Sequence, residues 1–307
     1  MPYRNIVFMG TPNFSIPILE AIVKSSYKIS CVYTQVKKKS NRGQKLNTSP
    51  IEKYAESSKL VIRNPVNINS DEEFNFFKKL NPDIVVVVAY GQLISKKLLN
   101  IPKKGFINVH ASLLPKWRGA APIQRSIMNL DTETGISMMQ IVEELDSGPV
   151  IEQFKVKIKN TSTSGEISDH LSKIGSENIV NTLNSIFNKK LIFSEQNHRL
   201  ATYAKKIKKS ETKINWQEKA EKIVAKINGL NPDLGAWFVY KDTRYIIWKA
   251  KIYEKKGTPG KILNSNFVIG CGDKSLEIIE IQKEGKNKLL LKNFLTGCIF
   301  NQGDELK

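Results

Sequence analysis

Two polar residues stand at alternate positions of one short apolar run, Phe106-Ile107-Asn108-Val109-His110. The period of a strand puts Asn108 and His110 on the same face, at or just past the strand's C-terminal end. There they offer an amide donor and an imidazole to one point in space. A carboxylate follows in Leu145-Asp146-Ser147-Gly148-Pro149, a turn sequence behind a second strand pattern. One amide, one imidazole and one carboxylate at strand ends make an acyl-transfer site. The amide and the imidazole can donate to an oxygen that gains charge, and such bonds strengthen as the charge develops. The carboxylate can orient the imidazole, favour its protonated form and accept a proton, directly or through water. Neither a metal nor a covalent intermediate is required. An Asn-x-His pair alone is most often structural; the long motif beside it and Asp146 in a separate turn make it a constellation.

The elements that must hold these groups alternate in type. Ile6 to Met9 reads as a strand ending at Gly10-Thr11-Pro12, followed by a helical pattern through Phe14, Ile18, Ala21 and Ile22. Lys28–Thr34, Ile84–Val88, Phe106–Val109, Ile136–Val142 and Val150–Ile158 read as further strands, and Ser164–Asn188 as a long helix. The four consecutive valines predict a strand covered on both faces. Alternation of this kind predicts an α/β domain with a mostly parallel, Rossmann-like sheet over residues 1–188. A polar linker spans 189–207. Residues 208–307 carry a short helix, Gln217–Ile227, and then short strands at Trp237–Tyr240, Thr243–Ile252, Phe267–Gly270, Leu276–Ile281 and Lys288–Leu291, punctuated by Gly and Asp turns. That pattern predicts a small C-terminal OB-like β-barrel domain.

Charge points to a partner class. Lys+Arg 48 against Asp+Glu 29 gives a net +19 over 307 residues, which favours a polyanion such as nucleic acid, although drift toward lysine explains part of the total. Distribution says more. Residues 190–307 hold 23 basic and 13 acidic residues (+10), and residues 1–189 hold 25 and 16 (+9), so the shorter part is the more densely positive. The loop from Val36 to Ser49 contains Lys37, Lys38, Lys39, Arg42 and Lys45 and no acid, and a second cluster is Lys205-Lys206-Ile207-Lys208-Lys209. Three widely spaced cysteines, no signal-peptide pattern and no apolar run near a bilayer span predict a cytoplasmic protein without membrane contact. Gly10-Thr11-Pro12 lacks the Gly-x-Gly-x-x-Gly spacing of a dinucleotide site. Trp117 reads as a packing residue, Arg118 as a polar contact for substrate or co-substrate, and His170 and His198 as surface or cap residues.

The stretch Asn108-Val109-His110-Ala111-Ser112-Leu113-Leu114-Pro115-Lys116-Trp117-Arg118-Gly119-Ala120-Ala121-Pro122, with Leu145-Asp146-Ser147-Gly148-Pro149, resembles the signature of the 10-formyltetrahydrofolate-dependent formyltransferases. Gly10-Thr11-Pro12-Asn13-Phe14-Ser15, the basic loop with Asn41-Arg42-Gly43, and Asn231-Pro232, Gly235-Ala236-Trp237, Pro259-Gly260 and Cys271-Gly272-Asp273 are similar to the family's tRNA-formylating branch. The resemblance implies that Asn108, His110 and Asp146 are catalytic and that Ser112, Leu113, Leu114 and Pro115 lie beside the folate. It implies that Arg42, Lys38, Lys45, Lys205, Lys206, Lys208 and Lys209 bind tRNA. The implied reaction moves a formyl group from 10-formyltetrahydrofolate, a co-substrate, to the methionyl α-amine on initiator tRNA, by a monomer without a metal. Asp233-Leu234 and Lys274 depart from the branch's usual residues. Two rivals are a formyltransferase of the same fold acting on a small amine such as a nucleotide-linked amino sugar, and a non-catalytic nucleic-acid binder. The first would not need the basic segments, and the second leaves the trio without a purpose.

Overall fold

A computed structural model describes residues 4–36, 38–40, 45–190, 192–297 and 300–307, with backbone alone at 38–40, 45 and 46. Two units emerge. The first comprises Met1–Gly119, Gly135–Val156 and Ser168–Tyr203; the second comprises Ala120–Thr134, Lys157–Ile167 and Ala204–Lys307.

In chain order the elements begin with β1 (Asn5–Gly10), α1 (Ile16–Val23), β2 (Lys28–Tyr33), β3 (Lys38–Ser40), β4 (Lys45–Asn47), α2 (Pro50–Ser57) and β5 (Ile62–Arg63). They continue with α3 (Asp71–Leu80), β6 (Ile84–Val88), α4 (Lys96–Leu99), β7 (Phe106–His110), β8 (Arg118–Gly119), α5 (Pro122–Met128), β9 (Glu133–Gln140), β10 (Val150–Lys157) and α6 (Ser164–Phe187). The rest are β11 (Tyr203–Ala204), α7 (Ala220–Leu230), β12 (Ala236–Tyr240), β13 (Thr243–Tyr253), β14 (Val268–Gly270), β15 (Ser275–Lys283), β16 (Lys288–Leu290) and α8 (Leu291–Phe294).

The sheet of the first unit runs β10-β9-β7-β6-β1-β2-β5. β1 is parallel to β2 and β6, β6 to β7 and β2 to β5, while β7 and β9 are antiparallel. The valine strand β6 is buried along its whole length between β1 and β7. Val7, Met9, Val85, Val87 and Phe106 share one apolar cluster with Tyr33 and Phe77 of the neighbouring elements. Each such aliphatic side chain stabilises the fold by roughly 1.5–3 kcal/mol on burial. Strand order reverses between β1 and β6, the place where sheets of this kind take ligands. Two hydroxyls stitch that junction: Ser15 Oγ donates to Val88 O at 2.7 Å and Thr11 Oγ1 to Tyr90 O at 3.0 Å. Gly10 is small for packing, since a Cβ there would sit 2.8 Å from the Phe8 ring and 2.9 Å from Ser15 Cβ.

Residues 38–40 and 45–47, read from sequence as part of a loop, pair as short antiparallel strands. Helices α2 and α3 also go beyond the strand-and-turn reading. Ser49 and Ser70 cap them by accepting from the backbone N–H of Glu52 and Glu73, and Asn81 ends α3 in the left-handed conformation.

The second unit is an antiparallel sheet, β12-β13-β15-β14 with β16 added to β15, a partly closed barrel of the expected OB-like class. Irregular register between Ile247 and Ala250 bends β13 across the sheet. Phe238, Tyr245, Phe267 and Phe294 fill the interior with Ile223 and Ile227 of α7. Gly229 lets α7 approach α5, because a Cβ there would lie 2.7 Å from Met128 and 3.0 Å from Gln124 O. Lys274, one of the departures, pairs with Glu254 at 2.9 Å.

Candidate active site

β7 ends where the sheet's parallel part meets β9, with Asn108 opposite Met139 and His110 opposite Ser137. Period two brings both side chains to the same face, and the 141–149 loop brings Asp146 to them. Asn108 Nδ2 donates to Asp146 Oδ1 at 3.3 Å. Asp146 Oδ2 accepts from the Gly119 N–H at 2.8 Å and faces His110 Nδ1 at 3.6 Å. His110 Nε2 lies 3.0 Å from Trp117 O. A carbonyl can only accept, so Nε2 carries a proton in this arrangement; a second proton on Nδ1 would point at the carboxylate. The imidazole is buried and the carboxylate is 14% exposed, so their attraction is screened only in part.

The loop carrying Asp146 is held at both ends and in the middle. Gln140 N–H donates to Pro149 O at 2.9 Å, and Ser147 Oγ to Glu144 O at 3.0 Å. Asp146 has φ +48°, a left-handed conformation that Asp tolerates better than most side chains. Gly148 is required by close approach: a Cβ there would fall 2.0 Å from Gln140 O. Across from the loop, Trp117 supplies the carbonyl for His110 and Gly119 the N–H for Asp146, so residues 117–119 set the spacing of imidazole and carboxylate.

Arg118 corrects the sequence reading. It is 1% exposed and offers nothing to a substrate. Its Nε and Nη2 donate to Gln196 Oε1 at 3.1 and 2.8 Å, and Nη2 also meets His198 Nδ1 at 3.3 Å. His198 is therefore a partner of a buried guanidinium as well as an exposed residue. Gln196, which the sequence reading passed over, donates through Nε2 to Asp146 O at 2.9 Å and to Gly148 O at 2.7 Å. No local pattern marks it; only tertiary pairing of Val150 with Ser194 brings it here.

Of the expected folate neighbours, Ser112 and Leu114 are buried and occupied. Ser112 Oγ donates to Lys116 O at 2.6 Å, its carbonyl accepts from Ser137 Oγ at 2.6 Å, and Leu114 N–H donates to Ser137 Oγ at 3.0 Å. Leu113 and Pro115 are half-buried. Apolar surface stands open in the loops after β6 and β9, where Leu93, Val142 and Leu145 are 76, 37 and 48% exposed. A cavity of about 510 Å³ lies elsewhere, at the far edge strand β5 beside Arg63 and Glu73, and is distinct from the trio.

Arg42 lies outside the described residues, as does Cys298, and Lys38 and Lys45 are described only by backbone within β3 and β4. Lys205, Lys206, Lys208 and Lys209 are all exposed. Their backbone is tied down: Arg125 Nε donates to Lys205 O at 3.0 Å and Nη2 to Lys206 O at 3.4 Å, while Nη1 pairs with Glu211 at 2.8 Å. The Arg125 hydrogen bond holds the Glu211 carboxyl down from 4.5 to about 2, assisted by the Lys208 N–H. Burial pushes the thiols of Cys31 and Cys271 up to about 12, so neither is a ready nucleophile. Among the described residues no group of three or more His, Cys, Asp or Glu is placed to hold a metal, and no helix is long and apolar enough to cross a membrane.

With this geometry established, residues 4–183 match the model of the formyl transferase family and residues 206–298 that of the formyl transferase C-terminal domain. The chain belongs to the formyl transferase family. It is 50% identical to the methionyl-tRNA formyltransferase of Pelagibacter ubique over 305 residues, covering 99% of this chain and 98% of that protein. It is 39% identical to the methionyl-tRNA formyltransferase of Roseobacter denitrificans over 302 residues, covering 98% of each. Among solved structures, an N-formyltransferase from Helicobacter canadensis shares the fold with a TM-score of 0.69 at 19% identity, covering 92% of this chain and 99% of that one. HypX from Aquifex aeolicus does so with a TM-score of 0.67 at 15% identity, covering 99% of this chain and 50% of that one.

Proposed function

We propose that this chain transfers a formyl group from 10-formyltetrahydrofolate to the α-amine of methionyl-initiator tRNA, for translation initiation. The observation that carries the reading is near-full-length identity of 50% to a methionyl-tRNA formyltransferase in a chain whose Asn108, His110 and Asp146 converge on one point. The folate supplies an activated formyl carbon. Asn108 uses one amide N–H on Asp146 and has a second for the formyl oxygen as that oxygen gains charge. His110 gives the same oxygen a ring N–H once its bond to Trp117 O is exchanged for the substrate. Asp146 keeps the imidazole oriented and takes the amine proton as the new C–N bond forms, and the folate nitrogen gains a proton as its bond to the formyl carbon breaks.

The open apolar surface of Leu93, Val142 and Leu145 fits a flat aromatic donor. Leu113 and Pro115 are its contacts within the 112–115 turn, and Ser112 and Leu114 hold that turn in place. Arg42, Lys38 and Lys45 reach the tRNA acceptor end, and Lys205, Lys206, Lys208 and Lys209 its phosphates. Residues 1–188 form the catalytic domain, 189–207 the linker and 208–307 the tRNA-binding domain of a cytoplasmic monomer. The deciding experiment supplies 10-formyltetrahydrofolate and offers charged initiator tRNA or amino-sugar nucleotides as acceptors. Formyl-methionyl-tRNA as the product supports the reading, and formylation of the sugar nucleotide alone overturns it.

A further inference from the structure

Gln196 is 50 residues beyond Asp146 in the chain and is not itself a donor or base for the reacting atoms. Its side chain is buried, and both ends of its amide are engaged. Nε2 donates to Asp146 O and Gly148 O at 2.9 and 2.7 Å, while Oε1 accepts from Arg118 Nε and Nη2 at 3.1 and 2.8 Å. We propose that Gln196 is a positioning residue for formyl transfer: it clamps the carbonyls on either side of Ser147 and thereby holds the Asp146 carboxylate against His110 and Gly119. The role rests on the formyltransferase reading. The left-handed backbone of Asp146 persists only where its surroundings over-determine it. The Gly119 N–H fixes one carboxylate oxygen, and the clamp adds to the 3.4 Å bond from the Ser147 N–H to Glu144 O in holding the peptide that follows Asp146. Arg118, buried and forked onto Oε1, keeps the clamp from turning. Its neighbours Trp117 and Gly119 hold His110 and Asp146 directly, so one short segment and its brace align both groups. A displacement of about 1 Å at such a site costs on the order of 100-fold in rate.

Gln196→Glu separates this role from simple support of Arg118. A carboxylate keeps the arginine and binds it more tightly, but it cannot donate to the two carbonyls. Wild-type protein is assayed first; failure to formylate methionyl-tRNA would count against the functional reading alone. For Gln196→Glu we expect kcat to fall about tenfold or more, KM for both substrates to stay within about twofold, and the protein to remain folded with a lowered melting temperature, because two carbonyls lose their donor while Arg118 keeps its partner. Gln196→Ala should lose as much kcat together with some stability. Independently of activity, the ring-nitrogen NMR signals of His110, one of three histidines, should move in Gln196→Glu because Asp146 has shifted. Wild-type kcat with unmoved His110 signals in the Glu variant would overturn the proposal. So would loss of folding in both variants, since that assigns Gln196 to stability alone.

Discussion

The Asp146 carboxylate has about four lone-pair positions, and two are taken by Asn108 Nδ2 and the Gly119 N–H, while the His110 ring edge faces it at 3.6 Å. Room is left for an incoming amine proton, which is the capacity a base in this reaction needs. Asn108→Ala, His110→Ala and Asp146→Ala should each lower kcat on the order of 100-fold or more, with smaller effects on substrate affinity. Near wild-type turnover in a folded variant would remove that residue from the catalytic set. A second residue-scale effect belongs to Glu211. Its folded pKa is depressed to about 2 by Arg125, so the pair contributes stability above about 4.5 and loses it as pH falls through about 2. The melting-temperature gap between wild type and Glu211→Gln should be flat from pH 7 to 5 and close below that window. Glu211 is about one-third exposed, so the gap should be small and should shrink in salt. A gap that widened on acidification would contradict the pairing.

At the scale of elements, the loop from Ile141 to Pro149 works because its two ends are pressed together. The Gln140 carbonyl occupies the space a Cβ at Gly148 would need. Gly148→Ala should therefore destabilise the fold by roughly 1–3 kcal/mol, the cost typical of overpacking. It should lower kcat as well, because Asp146 moves with the loop; thermal melts and steady-state kinetics read the two effects. Unchanged values in both would mean that the loop yields freely. Strands β1 and β6 were legible as apolar runs because both of their faces are buried. Asn108 and His110 were legible as one face of a short strand, and Asp146 as the carboxylate of a separate turn. Helices α2 and α3 carried visible start signals, Ser49-Pro50 with Glu52 and Ser70 with three acids after it. The β3–β4 pairing was hidden, since a run of lysines reports charge and says nothing of which backbone groups find partners. Arg118 was misread for a related reason. Sequence gives the charge of a side chain, while its burial depends on Gln196, which is 78 residues away.

For the whole molecule, the question is how a strongly basic chain divides tRNA binding from chemistry. Cutting the chain near Lys205 is a poor test. α5 and α7 belong to the same unit, and the cut would strip from α5 the helix that Gly229 lets approach it. Neutralising charge in the full chain leaves that packing intact. Lys205, Lys206, Lys208 and Lys209 are exposed, and Arg125 and Glu211 hold their backbone, so glutamine at all four should preserve the fold. Each tRNA phosphate that is no longer neutralised should reduce the slope of log affinity against log salt by about 0.7 to 0.9. Four such phosphates would flatten it by about 3, with affinity falling most at low salt, where counterion release contributes most. Folate affinity should not change, because the trio and the 112–115 turn lie in the other unit. Filter-binding titrations of tRNA across a salt series, beside a folate titration of the same protein, read both quantities. An unchanged slope in the quadruple variant would take the 205–209 segment out of tRNA recognition. The basic 36–49 loop and the dense charge of residues 208–307 would then be the remaining sources of affinity.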